Sequence, residues 1–205
     1  LLRSIGTDYA REHIYNFGFD TNKMPKGLTI ALGTGEVTPY EMAGAYSVVA
    51  NGGFRVTPHV IERIEQTNMG VVFRAQNQIQ IAVSAENRFL MYSMMKDVIR
   101  MGTGRKALAL ERGDIAGKTG TTNGPMDAWF SGYSRDVVTT AWVGFDNYTP
   151  LGRREFGGTA ALPIWIAFMA EALRDRPETE RPLPAGIVNV RIDPDTGRLA
   201  PASQR

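Results

Sequence analysis

Chemistry is concentrated in one stretch of this 205-residue chain, Ile115-Ala116-Gly117-Lys118-Thr119-Gly120-Thr121-Thr122-Asn123-Gly124-Pro125-Met126-Asp127-Ala128-Trp129-Phe130-Ser131-Gly132-Tyr133. An ammonium and two hydroxyls stand there beside glycines that leave the backbone bare, so a ligand carrying a carboxylate can lie against them. In a strand, the period of two puts Thr119 and Thr121 on one side. The bland alternative is that Lys118 is an ordinary strand lysine and that the threonines are present because β-branched residues suit a pleated surface.

Serine acyl transfer needs a nucleophile, a proton acceptor, oxyanion donors and groups that orient the substrate. Only the last two are evident around Lys118. Ser93-Met94-Met95-Lys96 spells S-x-x-K, and helical spacing would put the serine and lysine on one face, yet no S-x-N follows before Lys118. Gly117-Lys118-Thr119 ends like a phosphate-binding loop, but Arg112 stands where the first glycine is required and Gly113 is one residue too close. The Gly-Thr-Thr-Asn-Gly-Pro that follows cannot open a helix, so no nucleotide binding is expected. His13 and His59 lack ligand spacing and cysteine is absent, so neither a metal nor a cofactor is expected. Asp127 is expected to brace the turn and Trp129 to pack in the core. Arg153, Arg154 and Glu155 form a charged loop that either borders the cleft or is simply solvated.

Several elements must position this stretch. Thr7 opens a helix through Phe17, with Ala10, Ile14 and Phe17 on one stripe and Gly18 as the stop. Residues 27 to 37 read as an irregular connection. Thr38-Pro39-Tyr40-Glu41 is a helix start with Thr38 as N-cap and Glu41 as capping-box partner; Met42, Ala45, Tyr46 and Val49 form its stripe, and Asn51-Gly52-Gly53 ends it. Phe54 to Glu65 and Val71 to Arg74 are β-rich runs around a hairpin turn at 67–70. Ser84 caps a helix reaching Met101, broken by Gly102-Thr103-Gly104, after which Arg105 and Lys106 read as a solvated loop. The central stretch reads as two strands around Gly124-Pro125, Val137 to Phe145 as a third, and Ala160 to Leu173 as an apolar helix with Pro163 in its first turn. Residues 175 to 184, dense in charge and proline, read as a linker. Ile187 to Ile192 could add a short strand before the turn at 193–197, and the final residues read as frayed. Three adjacent strands with short turns imply an antiparallel sheet whose faces the helices cover.

Composition sets outer bounds. Hydrophobic residues make up 43% and charged residues 21%, ordinary for a globular fold with a core of its own. A net charge of +2 without a long basic run argues against nucleic acid as a partner. Absence of cysteine excludes disulfides without fixing a compartment. Leu1-Leu2-Arg3 has no signal-peptide layout, and the apolar run near 160–170 is too short to span a bilayer.

Lys118-Thr119-Gly120-Thr121 followed by Asp127-Ala128-Trp129-Phe130-Ser131-Gly132-Tyr133 resembles the third motif of penicillin-binding proteins, which accompanies S-x-x-K and S-x-N motifs. With Leu32-Gly33-Thr34-Gly35-Glu36-Val37-Thr38-Pro39, Val49-Ala50-Asn51-Gly52-Gly53, Gly102-Thr103-Gly104 and Ala161-Leu162-Pro163-Ile164-Trp165, in that order, the chain resembles the transpeptidase domain of the class A, bifunctional members over nearly its whole length. The resemblance implies an α+β fold of the serine β-lactamase/transpeptidase kind, an antiparallel sheet covered by helices, here an incomplete portion. Residues 1–174 would be the C-terminal portion of the domain and 175–205 a linker and extension.

The resemblance also implies roles. Lys118 would act electrostatically beside the serine of the second motif. The backbone N–H of Thr121 would be an oxyanion donor. Thr119, Gly120 and Thr121 would bind substrate, the two hydroxyls taking its carboxylate. In the family the S-x-x-K lies far upstream, so Ser93 is a coincidence of spelling, the nucleophile is expected outside this chain, and the chain alone is expected to be inert. The implied activity of the parent is attack of a serine on a D-Ala-D-Ala stem peptide, release of D-Ala and transfer to an amine of a neighbouring strand. Its partners would be peptidoglycan stem peptides, β-lactam antibiotics and the N-terminal remainder of the same protein, at the periplasmic face of the bacterial inner membrane, with a glycosyltransferase domain and membrane anchor upstream. A non-catalytic penicillin-recognising sensor is the alternative. A β-lactamase fits less well because such enzymes lack the matched C-terminal segments.

Overall fold

The computed structural model describes residues 1–76, 78–193 and 195–200. It opens with α1 (Leu2–Ile5) and α2 (Thr7–Tyr15). Gly6, at φ 84, occupies the cap position of α2 that the sequence suggests for Thr7; the corner between the two helices needs a left-handed residue, which glycine supplies without strain. The connection after Gly18 carries 3₁₀ turns at Thr21–Lys23 and Leu28–Leu32. α3 (Pro39–Ala50) begins with the expected reciprocal cap: the Glu41 N–H donates to Thr38 Oγ1 (3.2 Å) and the Thr38 N–H to Glu41 Oε2 (2.7 Å). Those backbone and hydroxyl donors hold the Glu41 carboxyl below its ordinary value.

β1 (Phe54–Arg55), β2 (Arg63–Gln66), β3 (Gly70–Arg74) and β4 (Gln80–Ile81) follow. β2 and β3 form the expected hairpin, whereas β1 pairs with β4 across 25 residues, a two-residue ladder too short to read from sequence. α4 (Ala85–Arg100) starts at Ser84, whose hydroxyl accepts the Asn87 N–H at 3.2 Å. β5 (Ala116–Thr121), β6 (Asp127–Tyr133) and β7 (Val138–Gly144) make an antiparallel sheet in that order, and α5 (Leu162–Ala172) follows a π-helical turn at Gly157–Ala161. The fold is α+β, as the sequence pattern implies.

Alternation along the sheet makes two cores. One face presents Phe130, Ala128 and Ala141 to Leu162, Trp165 and Met169 of α5, with the Phe130 and Trp165 rings edge to face at 4.9 Å. The other presents Ala116 and Tyr133 to Val49 and Ala50 of α3 and Tyr92 of α4. Tyr92 and Ile99 lie seven residues apart on one stripe of α4 but join different cores, so α4 flanks β5 and reaches both sides of the sheet.

Residues 175–184 form neither helix nor strand and run as a strap held by polar anchors. Asp114 takes a bidentate pair from Arg112 (2.9 and 2.8 Å), and Arg112 also donates to the Arg176 carbonyl (2.7 Å). The Gly113 N–H donates to Glu178 Oε2 (2.9 Å). Arg181 donates to the carbonyls of Val49 (3.2 Å), Ala50 (2.7 Å) and Ser134 (3.2 Å), and its guanidinium lies over the rings of Tyr92 (4.7 Å) and Tyr133 (5.5 Å). Two of those carbonyls end α3, where orphan acceptors favour a cation. Beyond the strap, Ile187 to Ile192 builds no ladder; Ile192 makes a single bridge to Leu199. The Asp193 carboxylate accepts from the Asp195 and Thr196 N–H groups, while Pro194 of that turn and the frayed end expected at 201–205 lie outside the described residues.

Candidate active site

β5 is an edge strand: β6 pairs with one side, and no described strand pairs with the other. The Thr122 N–H donates to the Asp127 carbonyl at 3.2 Å. Antiparallel ladders alternate bonded and non-bonded pairs, so Gly120/Trp129 and Lys118/Ser131 are bonded pairs and Thr119/Phe130 and Thr121/Ala128 are not. The N–H and C=O groups of Thr119 and Thr121 therefore point out of the free edge. Lys118 Nζ agrees with this, curling to donate to the Thr119 carbonyl at 2.7 Å.

Side chains alternate in the same register. Thr119 and Thr121 both line a groove of about 490 Å³ whose other walls are Thr103, Arg105 and Lys106 after α4, and Phe156, Gly158 and Thr159 before α5. Lys118 belongs to the opposite face with Trp129 and Ser131. The predicted residues are thus brought to one strand end, hydroxyls into the groove and ammonium along the edge, with Gly120 between them.

Both hydroxyls are oriented by neighbours. Thr119 Oγ1 and Thr103 Oγ1 are 2.6 Å apart; one proton is used within that pair, leaving the other free to donate outward. Thr121 Oγ1 accepts the Gly157 N–H at 3.0 Å, and since an N–H cannot accept, the Thr121 proton is left for the groove. Gly157 is required by close approach: a Cβ there would lie 2.4 Å from the Trp129 carbonyl oxygen and 2.5 Å from that of Gly120.

Other expectations are corrected by this geometry. Arg105 and Lys106 belong to a 3₁₀ turn (Arg105–Leu110) and line the groove. Trp129 is half-buried and packs on Trp142 at 5.9 Å, outside both cores, because it shares the Lys118 face beyond the reach of the α3 cluster. Thr122 braces the turn, its hydroxyl accepting the Met126 and Asp127 N–H groups (3.0 and 2.8 Å), while the Asp127 carboxylate takes the Trp142 indole N–H (2.8 Å). Ser93 is exposed on α4 away from the groove, and Lys96 lies over the Tyr92 ring at 5.6 Å. Gly117-Lys118-Thr119 sits inside a strand followed by a hairpin, which is not a phosphate loop. His13 packs between Tyr9 and Phe17, and His59 Nε2 lies 3.0 Å from Glu62. Reasoning from sequence missed Thr103, Gly157 and Thr159; the clustered glycines at 102–104 and 157–158 were the available signal. Among the described residues no helix is long and apolar enough to cross a membrane.

Penicillin-binding protein 1A of Pseudomonas aeruginosa is 44% identical over 250 residues, an alignment that covers 98% of this chain and 30% of that protein. Penicillin-binding protein 1A of Neisseria lactamica is 47% identical over 194 residues, covering 92% of this chain and 24% of the relative. The crystal structure of penicillin-binding protein 1A from Haemophilus influenzae superposes with a TM-score of 0.93 at 34% identity, over all of this chain and 36% of that one. PonA1 from Mycobacterium tuberculosis gives 0.76 at 25% identity, over 94% of this chain and 58% of that one. The chain spans less than a third of the length of the Pseudomonas and Neisseria relatives. Residues 4–165 match the family model of the penicillin-binding protein transpeptidase domain, and the chain belongs to that family.

Proposed function

We propose that this chain supplies one wall of the catalytic cleft of a serine-type peptidoglycan D,D-transpeptidase whose nucleophile is contributed by polypeptide outside these residues. The observation that carries the reading is the free end of β5, with the Thr121 N–H at the open edge, two oriented hydroxyls in the groove and the Lys118 ammonium on the Thr119 carbonyl along that edge. An extended stem peptide can add to such an edge as a strand, its C-terminal carboxylate meeting Thr119 and Thr121. The serine oxygen then attacks the penultimate D-Ala carbonyl, the Thr121 N–H takes charge on the carbonyl oxygen, and the C–N bond breaks with release of D-Ala. An amine of a second strand attacks the resulting ester, restoring the serine and forming the crosslink. A β-lactam, with a strained amide and a carboxylate in similar disposition, would acylate the same serine and remain.

The parent would carry a glycosyltransferase domain and membrane anchor and would work at the periplasmic face of the inner membrane, while this chain alone would be inert. Relatives named penicillin-binding protein 1A support that reading. Fluorescent penicillin applied to the intact parent tests it: stable labelling that competes with unlabelled penicillin is expected, followed by crosslinking of peptidoglycan strands. Absence of labelling would refute it. Rapid release of label would indicate a β-lactamase, and labelling without crosslinking a sensor.

A further inference from the structure

Arg105 and Lys106 line the groove into which Thr119 and Thr121 face. They come from the turn after α4, which also supplies Thr103 as the partner of the Thr119 hydroxyl. Neither side chain has an ion pair or hydrogen bond among the described residues, whereas Arg112 is held by Asp114. No carboxylate lines the groove among the described residues; its walls are hydroxyls, glycine, the Phe156 ring and these two cations. The Thr121 hydroxyl and the Thr103/Thr119 pair each keep one proton that their named partners do not use, and these hydroxyls line the same space. The Thr159 hydroxyl is already spent on the Arg154 and Phe156 carbonyls; the other side-chain polar groups lining the groove can all donate, and the charge is positive.

We propose that Arg105 and Lys106 are specificity-determining residues that supply the counter-charge for a carboxylate of the bound peptide, completing an anion subsite of which Thr119 and Thr121 are the neutral half. The inference rests on β5 being the wall that receives the peptide. Hydroxyls alone bind a carboxylate and a neutral amide with little preference. A guanidinium adds a planar pair of donors that matches carboxylate geometry, and an ammonium adds a second positive point charge. The groove thereby selects a peptide ending in a free carboxylate over one that is amidated or continues beyond that residue.

The test uses the intact parent and two acylating compounds, a penicillin with its free carboxylate and the methyl ester of the same penicillin, at low and high salt. In the wild type the free acid is expected to react faster, with an advantage that shrinks as salt rises. Arg105→Gln/Lys106→Gln should lower the second-order acylation rate for the free acid by about 10- to 100-fold and leave the ester within about twofold. The loss should appear in the half-saturating concentration, with the limiting rate unchanged, and Arg105→Lys should recover part of it. Equal losses on acid and ester, or an acid preference that survives in the double variant, would overturn the assignment while leaving the transpeptidase reading intact. A wild-type protein that neither compound acylates would overturn that reading and this one with it.

Discussion

Replacing Gly157 by alanine probes how tightly the π-helical turn is coupled to the strand that carries the motif. The new Cβ would sit 2.4 Å from the Trp129 carbonyl oxygen and 2.5 Å from the Gly120 carbonyl oxygen, so the turn must retreat by about 1 Å to restore van der Waals contact at ~3.5 Å. The Gly157 N–H now donates to Thr121 Oγ1 at 3.0 Å; the same retreat stretches that contact to ~4 Å, beyond hydrogen bonding. Overpacking of this kind costs about 1–3 kcal/mol of stability. The Thr121 hydroxyl, no longer oriented, becomes free to rotate away from the groove, and a misplacement near 1 Å slows a positioned reaction by about 100-fold. Acylation of the intact parent by fluorescent penicillin, followed in the pre-steady state, should therefore slow by about 10- to 100-fold at temperatures where circular dichroism shows the variant folded. Gly27→Ala is the control: a Cβ there meets nothing within 4 Å, and it should change stability by less than about 0.5 kcal/mol. A folded Gly157→Ala variant that acylates at the wild-type rate would refute the coupling between the turn and β5.

Other perturbations follow from the same contacts. Lys118→Ala in the intact parent should slow acylation by about 100-fold or more, as expected for loss of a preorganised charge; an unchanged rate constant would remove Lys118 from the chemistry. Arg181→Met should lower the midpoint of urea unfolding by an amount equivalent to about 2–4 kcal/mol, because the carbonyls of Val49, Ala50 and Ser134 lose their donor and two aromatic rings lose a stacked cation; a shift below about 0.5 kcal/mol would make the strap a passive linker. Burial pushes the Tyr46 hydroxyl up to about 12 from an ordinary 10.0, and burial raises Tyr133 as well. The unfolded chain gives up these protons first, so their contribution to stability is complete below pH 10 and falls as pH rises above it; the Tyr46 part, on the order of 2 kcal/mol, is lost as pH rises toward 12. Tyr46→Phe should flatten that alkaline loss in pH-dependent unfolding, and an identical profile in the variant would contradict it.

Elements legible in the sequence were those written in local chemistry. Thr38-Pro39-Tyr40-Glu41 specifies a helix start because the cap is satisfied within four residues. The hairpin of β5 and β6 could be read because Gly124-Pro125 marks a turn between alternating runs. The half-buried place of Trp129 is not legible in the sequence, because alternation tells which residues share a face but not how far a covering helix extends along it. Arg105 and Lys106 could not be read as groove residues because the groove is closed by a loop fifty residues later, around Phe156. The anchoring of Arg181 was equally hidden: its acceptors are backbone carbonyls more than 130 residues away at Val49 and Ala50, which carry no residue-type signal.

What the free end of β5 receives decides between these functions. A crystal structure of the intact parent acylated by a penicillin measures it directly. The acyl carbonyl oxygen is expected within ~3 Å of the Thr121 nitrogen and the drug carboxylate within hydrogen-bond distance of the Thr119 and Thr121 hydroxyls. A drug bound covalently elsewhere, with this strand edge empty or its carboxylate turned out of the groove, would contradict it.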